Sequence, residues 1–476
     1  MTNNRMRLIV ALIAAEILSG FEVAMIYAAL RHLIEDFGSP EAVGWAITSY
    51  LLASAVAAAL CGRLGDMFDR RKVMLIVIVL SIIGSLISGF SSTIGGVVAG
   101  RVIQGSAGAI FPLCIGIVRE HVKPASAPLY IGILAATLTV ASGLGAVFGG
   151  VLVDNLSWHW IFFAGAIAGI IAFVAVLFLV PAGTSGTGEK GANFLGGILF
   201  APAIVFLLLA ITKGPQWGWG DNLTLGFLIG GLALLLLWVR SELRAAVPLI
   251  NVRLLAQREV LLANLAGVLL GLTWFQSMQI WSILLQQPTE TGIGLGLSAT
   301  MAGLVMLPQT LMALIGGPAA GWFFARYGAR FTMGISALVL GASWVAFAFA
   351  FAFDHHSLAF ILVVLIAMGI SSSFFYATLP MIISSAVPLN RTSEATGMMI
   401  VIRTSMMGIG AQIVAFLLST STVSSPTGAG SFPDQRAYLL AMGYIVAGCV
   451  LMFAVSMLLP KRRVSSAMVA AEVETS

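Results

Sequence analysis

The 476 residues are 59% hydrophobic and only 9% charged, with a mean hydropathy of +1.03, against about 25% charged residues in a soluble globular domain. That composition excludes a water-soluble fold and points to an all-α polytopic membrane protein, because the long apolar runs lack the period-2 alternation of barrel strands. The net charge of +5 and pI near 9.3 admit either a nucleic-acid binder or a membrane topology signal, and the placement of the cations decides between them.

At about 20 apolar residues per crossing, the chain carries fourteen candidate spans. The first, 7–30, follows Arg5 and Arg7 and is too long for a signal peptide, so it reads as an uncleaved crossing. It holds Glu16 and, in "GFEVAMIYAALRHL" (20–33), Glu22 and Tyr27. An ionisable group within a span marks a pathway or relay. Six residues separate the two acids, about 120° around a helix, so they face different neighbours. Span 42–63 ends in "CGRLGDMFDRR", with Asp66, Arg70 and Arg71; span 73–92 follows.

Span 94–118 contains Arg101. It lies about 10 Å below the outer surface and Glu22 about 12 Å, by helical rise. If the two helices face each other, the cation favours an ionised Glu22 while apolar surroundings favour the protonated acid. Such opposed terms suit a group that takes and releases a proton; a fixed packing role for either acid is the other reading. Span 127–152 carries Gly145, Gly149 and Gly150 in "ASGLGAVFGG". Small residues at that spacing let helix backbones approach in lipid, for packing or for gating.

Span 159–180 precedes "PAGTSGTGEKG" (181–191). Spans 194–212 and 222–239 then stand apart, joined by "KGPQWGWGDN" and followed by the polar stretch 240–259. The expected organisation is a six-helix bundle over 1–185, a two-helix insert over 186–245, a second six-helix bundle over 246–460 and a cytoplasmic tail over 461–476. Span 259–284 gathers Trp274, Gln276, Met278, Gln279 and Trp281, a mixture of apolar surface and hydrogen-bonding groups suited to amphipathic organic ligands; Trp281 also fits an interfacial, lipid-facing position. Spans 297–320, 330–353, 357–385 (with Tyr376), 395–419 (with Arg403) and 437–459 complete the set. Arg403 reads as a substrate or gate contact, or as packed on backbone carbonyls.

Placing the N-terminus in the cytoplasm puts every Lys and Arg on inward segments except Arg31, Lys213 and Arg436, which face outward, and Arg101 and Arg403 within spans. This asymmetry follows the positive-inside rule. It places both termini in the cytoplasm and removes nucleic acid as a partner. A faint internal echo sets "CGRLGDMFDRR" against "AGWFFARYGAR" (320–330), with Ala325 opposite Asp66; repeated halves are common in secondary transporters. Cys61, Cys114 and Cys449 lie in apolar runs and form no disulfide framework. The neighbours His355 and His356 read as solvated loop rather than metal ligands. No phosphate-cradling loop or nucleophile elbow is present, so no cofactor or enzymatic activity is expected.

These motifs together resemble the major facilitator superfamily, specifically its fourteen-helix drug:proton antiporter branch. "GRLGDMFDRR" (62–71) is similar to the loop signature after helix 2, with Asp69 where glycine is usual; "RVIQGSAGA" (101–109) resembles the helix 4 signature; "GAVFGG" (145–150) resembles the antiporter signature with Ala146 in place of its proline. Glu22 stands for the usual aspartate of helix 1, and Tyr27 and Arg31 replace an asparagine and a proline. The resemblance implies two six-helix bundles around a central cavity and alternating access driven by a proton gradient. In it Glu22 is the proton carrier, Arg101 its electrostatic partner, and Asp66, Arg70 and Arg71 a cytoplasmic latch. Two acids against two arginines, with no acid expected in the last six spans, favour neutral or singly charged amphipathic substrates. The expected function is export of such compounds by a monomer in the cytoplasmic membrane, its partners being substrate, protons and lipids. The alternatives are transport of one metabolite, an anion drawn by Arg101 and Arg403, and a non-transporting sensor on the same fold.

Overall fold

The computed structural model describes residues 2–37, 40–182, 194–245, 248, 251–297, 299–353, 357–424 and 431–460. Helices dominate: α1 (Thr2–Phe37), α2 (Pro40–Met67), α3 (Arg70–Gly89), α4 (Ile94–Gln104), α5 (Ile110–His121), α6 (Ala127–Asn155) and α7 (His159–Leu179). There follow α8 (Phe194–Trp217), α9 (Asn222–Arg244), the short α10 (Val252–Leu255), α11 (Arg258–Leu272), α12 (Ser277–Gln286), α13 (Ala299–Leu311), α14 (Ala313–Ala352), α15 (Leu358–Ala386), α16 (Thr392–Ser419) and α17 (Gln435–Leu458). The hairpin of β1 (Thr422–Ser424) and β2 (Ser431–Pro433) precedes α17.

Short polar side chains start several of these helices. Asp69, the departure from the usual glycine, caps α3 by accepting from the N–H of Arg71 at 2.8 Å; Thr93 caps α4 and Asp221 caps α9. Each satisfies an N–H that a helix start leaves without a carbonyl. In α7, Ile167, Ile170, Ile171, Val174 and Phe178 are exposed, while Phe162, Gly165, Ala166, Gly169 and Ala172 are buried. That three-and-four spacing divides the helix into a protein face and an apolar face fit for lipid.

Among the described residues, twelve helical segments are long and apolar enough to cross a membrane, and the chain is a multi-pass membrane protein. One segment, Met301–Ala352, runs for 52 residues. The expected spans 297–320 and 330–353 are joined within it and separated only at Gly328, whose φ of 81° suits glycine, which has no Cβ to clash there. The span expected at 259–284 is broken at Thr273, where the Gln276 side-chain amide donates to the Gly271 carbonyl at 2.8 Å. Helix α8 continues to Trp217, so Lys213 lies in a helix, buried, with its ammonium 4.8 Å from the Trp45 ring centroid, instead of in the expected outward loop. The tail 461–476, most of 181–191, and His355 with His356 lie outside the described residues.

By internal contacts the chain divides into two units, Met1–Val122 with Thr137–Gln257 and Ile383–Phe416, and Lys123–Ala136 with Arg258–Ile382 and Leu417–Ser476. In the first, α8 and α9 pack through Phe200, Ile204, Leu208 and Trp238 on Leu52 and Ala55 of α2 and Met398 of α16. In the second, Trp281 is fully buried against Trp344 and Phe347, with ring centroids 5.6 and 4.4 Å away, so it stands neither at a lipid interface nor on an open cavity.

Candidate functional site

Glu22 projects sideways from α1 toward α3. Its Oε1 accepts from the Ser81 hydroxyl and, at 3.3 Å, from Ser85, whereas Oε2 has no hydrogen-bond partner. All three residues are buried. Arg101 on α4 reaches the same helix but not the carboxylate: Nη1 donates to the Glu22 backbone carbonyl at 2.9 Å and to Gln104 Oε1 at 3.1 Å, and Nε donates to the Ala46 carbonyl at 3.0 Å. The guanidinium lies 4.0 Å from the Tyr50 ring centroid, a desolvated cation–π contact. Gln104 closes the circuit by donating to Ser85 Oγ at 2.6 Å. A continuous chain thus links Arg101, Gln104, Ser85 and Glu22.

The arrangement has a chemical consequence. Arg101 is held by neutral carbonyls, an amide and a ring face, so none of these contacts is made to the Glu22 carboxylate. The carboxyl keeps one oxygen in hydroxyl bonds and one free, which is the geometry to accept a proton without breaking its existing contacts. Phe21, Met25, Arg101, Gln104, Phe162 and Glu22 line a cavity no larger than about one water molecule. Ser81, Ser85 and Gln104 were not singled out in the sequence, although hydroxyls four apart in an apolar run, and an amide one turn from an intramembrane arginine, are readable signals.

Glu16 is also buried, and its polar neighbour is the Cys114 thiol of α5. The two acids of α1 therefore face different helices. Tyr27 is 50% exposed. Gly145 and Gly149 lie where α6 meets α1: a Cβ on Gly145 would stand 3.2 Å from the Phe21 Cα, and one on Gly149 3.0 Å from the Met25 Cα. Gly150 faces open space. So two of the three glycines seat the helix that bears Glu22.

A second polar cluster forms where α2, α3, α5 and α16 meet. Asp66 Oδ1 accepts from Arg70 at 2.7 and 2.9 Å, and its Oδ2 accepts from the Glu394 N–H at 2.9 Å. Arg70 also donates to Glu120 at 3.0 Å, Ser393 Oγ at 3.2 Å and the Leu389 carbonyl at 2.6 Å. Arg71 turns away and donates to the Leu177 carbonyl of α7 at 2.5 Å. Glu394, in the first turn of α16, is buried, accepts from Arg391 at 2.9 Å and from the Asn251 N–H at 2.5 Å, and stands 3.7 Å from Arg63. The expectation of no acid in the last six spans fails here, because the helix begins three residues before the expected boundary and takes Glu394 in. Its charge is engaged by these arginines, so it adds no site for a cationic substrate.

Of the remaining candidates, Gln276 is buried on the helix break, Trp274 and Gln279 are half-buried, and Met278 is 67% exposed. Residues 276 and 278 thus face opposite ways. Tyr376 on α15 is half-buried, its ring centroid 6.4 Å from that of Phe275. Arg403 is buried on α16.

The chain is similar to known transporters. It is 29% identical over 307 residues to the tetracenomycin C resistance and export protein of Streptomyces glaucescens, covering 63% of this chain and 55% of that one. It is 27% identical over 344 residues to a multidrug resistance protein B homolog of Mycobacterium tuberculosis, covering 71% and 62%. The chain spans about half to two thirds of the length of these curated relatives. The human organic anion transporter MFSD10 superposes with a TM-score of 0.63 at 14% identity, over 94% of this chain and 99% of that one, and the proton:xylose symporter XylE with 0.59 at 14%, over 95% and 96%; both likenesses concern the fold. With the Major Facilitator Superfamily model matched over residues 12–411, the chain belongs to the Major Facilitator Superfamily.

Proposed function

We propose that the chain is a proton-driven exporter of neutral or singly charged amphipathic organic compounds, working as a monomer by alternating access in a cytoplasmic membrane. The observation that carries the reading is the buried Glu22 carboxyl, half held by Ser81 and Ser85 and half open, beside an Arg101 whose own bonds are independent of it. Protonation at Oε2 cancels the charge while the surrounding bonds stay in place. The relatives named for drug resistance and export support the substrate class.

Fourteen crossings with both termini cytoplasmic belong to the same proposal. The 52 residues of Met301–Ala352 extend about 78 Å, enough to cross a core of about 30 Å twice, and the 24 residues of α8 extend about 36 Å. In this reading 1–185 and 246–460 are the moving bundles, 186–245 the insert, Asp66 and Arg70 part of a cytoplasmic latch, and Trp274, Gln276, Met278, Gln279, Tyr27, Tyr376 and Arg403 the substrate-cavity positions.

The test is proton movement in proteoliposomes containing a trapped pH dye. Adding an amphipathic compound should move protons for the unaltered chain and not for Glu22→Gln. Uptake driven by an imposed pH gradient at an undiminished rate in that variant would overturn the proposal. A second reading, transport of one anionic metabolite, draws on the buried cation Arg403. A ligand sweep by thermal shift distinguishes the two: many unrelated amphipathic hits favour drug export, a single anionic hit the alternative.

A further inference from the structure

Gly328 divides the run Met301–Ala352 into halves each about one crossing long, so the break lies at a membrane surface. The turns around it carry an exposed aromatic patch: Trp322 is 49%, Tyr327 46% and Phe331 44% accessible. Between the first two lies the exposed Arg326, its guanidinium carbon 5.3 Å from the Trp322 ring centroid and 5.6 Å from that of Tyr327. Phe323 supports both rings, with centroids at 5.0 and 5.6 Å.

The charge balance here differs from that of the corresponding loop in the first half. There Arg70 is paired with Asp66 and Glu120. Here Ala325 stands where the first copy has Asp66. Among the described residues neither Arg326 nor Arg330 makes an ion pair, and Arg330 Nη2 contacts only the thioether of Met457 at 3.3 Å. Two cations without carboxylates, framed by aromatic rings at the level of the lipid headgroups, complement an anion. A planar guanidinium steadied on ring faces is preset for the paired bonds that phosphate oxygens accept.

We propose that Trp322, Arg326, Tyr327 and Arg330 form a docking site for the phosphate headgroup of an anionic phospholipid. The acyl chains run along the apolar face of α14 and the rings flank the glycerol level. The site is separate from the Glu22 cluster and does not rest on proton coupling.

Native mass spectrometry of the full-length chain in detergent, titrated with phosphatidylglycerol and phosphatidylcholine in equal amounts, tests it. The unaltered chain is expected to retain phosphatidylglycerol preferentially. Arg326→Gln should lower that retention about fivefold, the fold-change equivalent to about 1 kcal/mol for one interfacial cation. Trp322→Leu should lower it less, and Arg326→Lys should keep a charge-driven remainder. Equal retention of the two lipids by the unaltered chain, or undiminished phosphatidylglycerol retention in Arg326→Gln, would overturn the proposal. If Arg326→Gln fails to fold, Trp322→Leu and Arg326→Lys decide: reduced preference supports the site and unchanged preference overturns it.

Discussion

Glu22 is tolerated inside α1 because α3 supplies hydroxyls and α4 a cation at the same level, which offset the cost of holding the carboxyl away from water among apolar neighbours. Hydroxyl donors stabilise the ionised acid more than the protonated one. Replacing both Ser81 and Ser85 by alanine is therefore expected to cost about 1–3 kcal/mol of stability. Thermal unfolding in detergent checks it; an unchanged midpoint would show that the hydroxyls do not stabilise the carboxyl. The α6 glycines give a sharper steric contrast. Gly149→Val places new atoms against the α1 backbone and is expected to destabilise by about 1–3 kcal/mol. Gly150→Ala meets nothing and should be neutral or stabilising by up to about 1 kcal/mol.

Among elements, α16 is tied to α2 and to the segment after α9 by one carboxylate, since Glu394 gathers Arg391, Arg63 and the Asn251 N–H. Removing that charge takes a counter-ion from buried Arg63 and half-buried Arg391, so Glu394→Gln is expected to destabilise by about 1–3 kcal/mol. A double-mutant cycle with Arg391→Gln should return a coupling of about 0.5–3 kcal/mol; additive losses would mean that the two do not act together. The start of α17 is pH-sensitive for a separate reason. The Ser421 hydroxyl holds the Asp434 carboxyl below the usual carboxylate range, and the Ala437 N–H adds to it. A lowered carboxyl contributes stability that is present above its unfolded value and lost as pH falls through its folded value. Protection factors for the amides of residues 435–438, with exchange corrected for its intrinsic pH dependence, should fall on acidification in the unaltered chain and be low throughout in Asp434→Ala.

At the scale of the whole molecule, the crossing count turns on α8. If α8 and α9 both cross, Lys123→Cys and Arg253→Cys lie on the same side of the membrane and Trp219→Cys and Glu290→Cys on the other. With Cys61, Cys114 and Cys449 replaced, an impermeant maleimide should label the second pair on intact cells and the first only after permeabilisation. Residues 123 and 253 reacting on opposite sides would remove one of the two crossings.

The sequence by itself determined the membrane class, most span positions and the family resemblance, because lipid demands long apolar helices and the family motifs are short runs of adjacent residues. It also put Glu22 and Arg101 at one depth, since rise per residue is fixed along a helix. Only the tertiary structure decided which groups meet at that depth. It directed Arg101 to a carbonyl instead of the carboxylate, chose Ser81 and Ser85 as the partners of Glu22, and set Glu394 against Arg63 and the Asn251 N–H. Those choices depend on the rotation of each helix about its axis, which weakly amphipathic sequences in lipid leave open: apolar residues are acceptable on every face, and only contact with a particular neighbour separates one rotation from another.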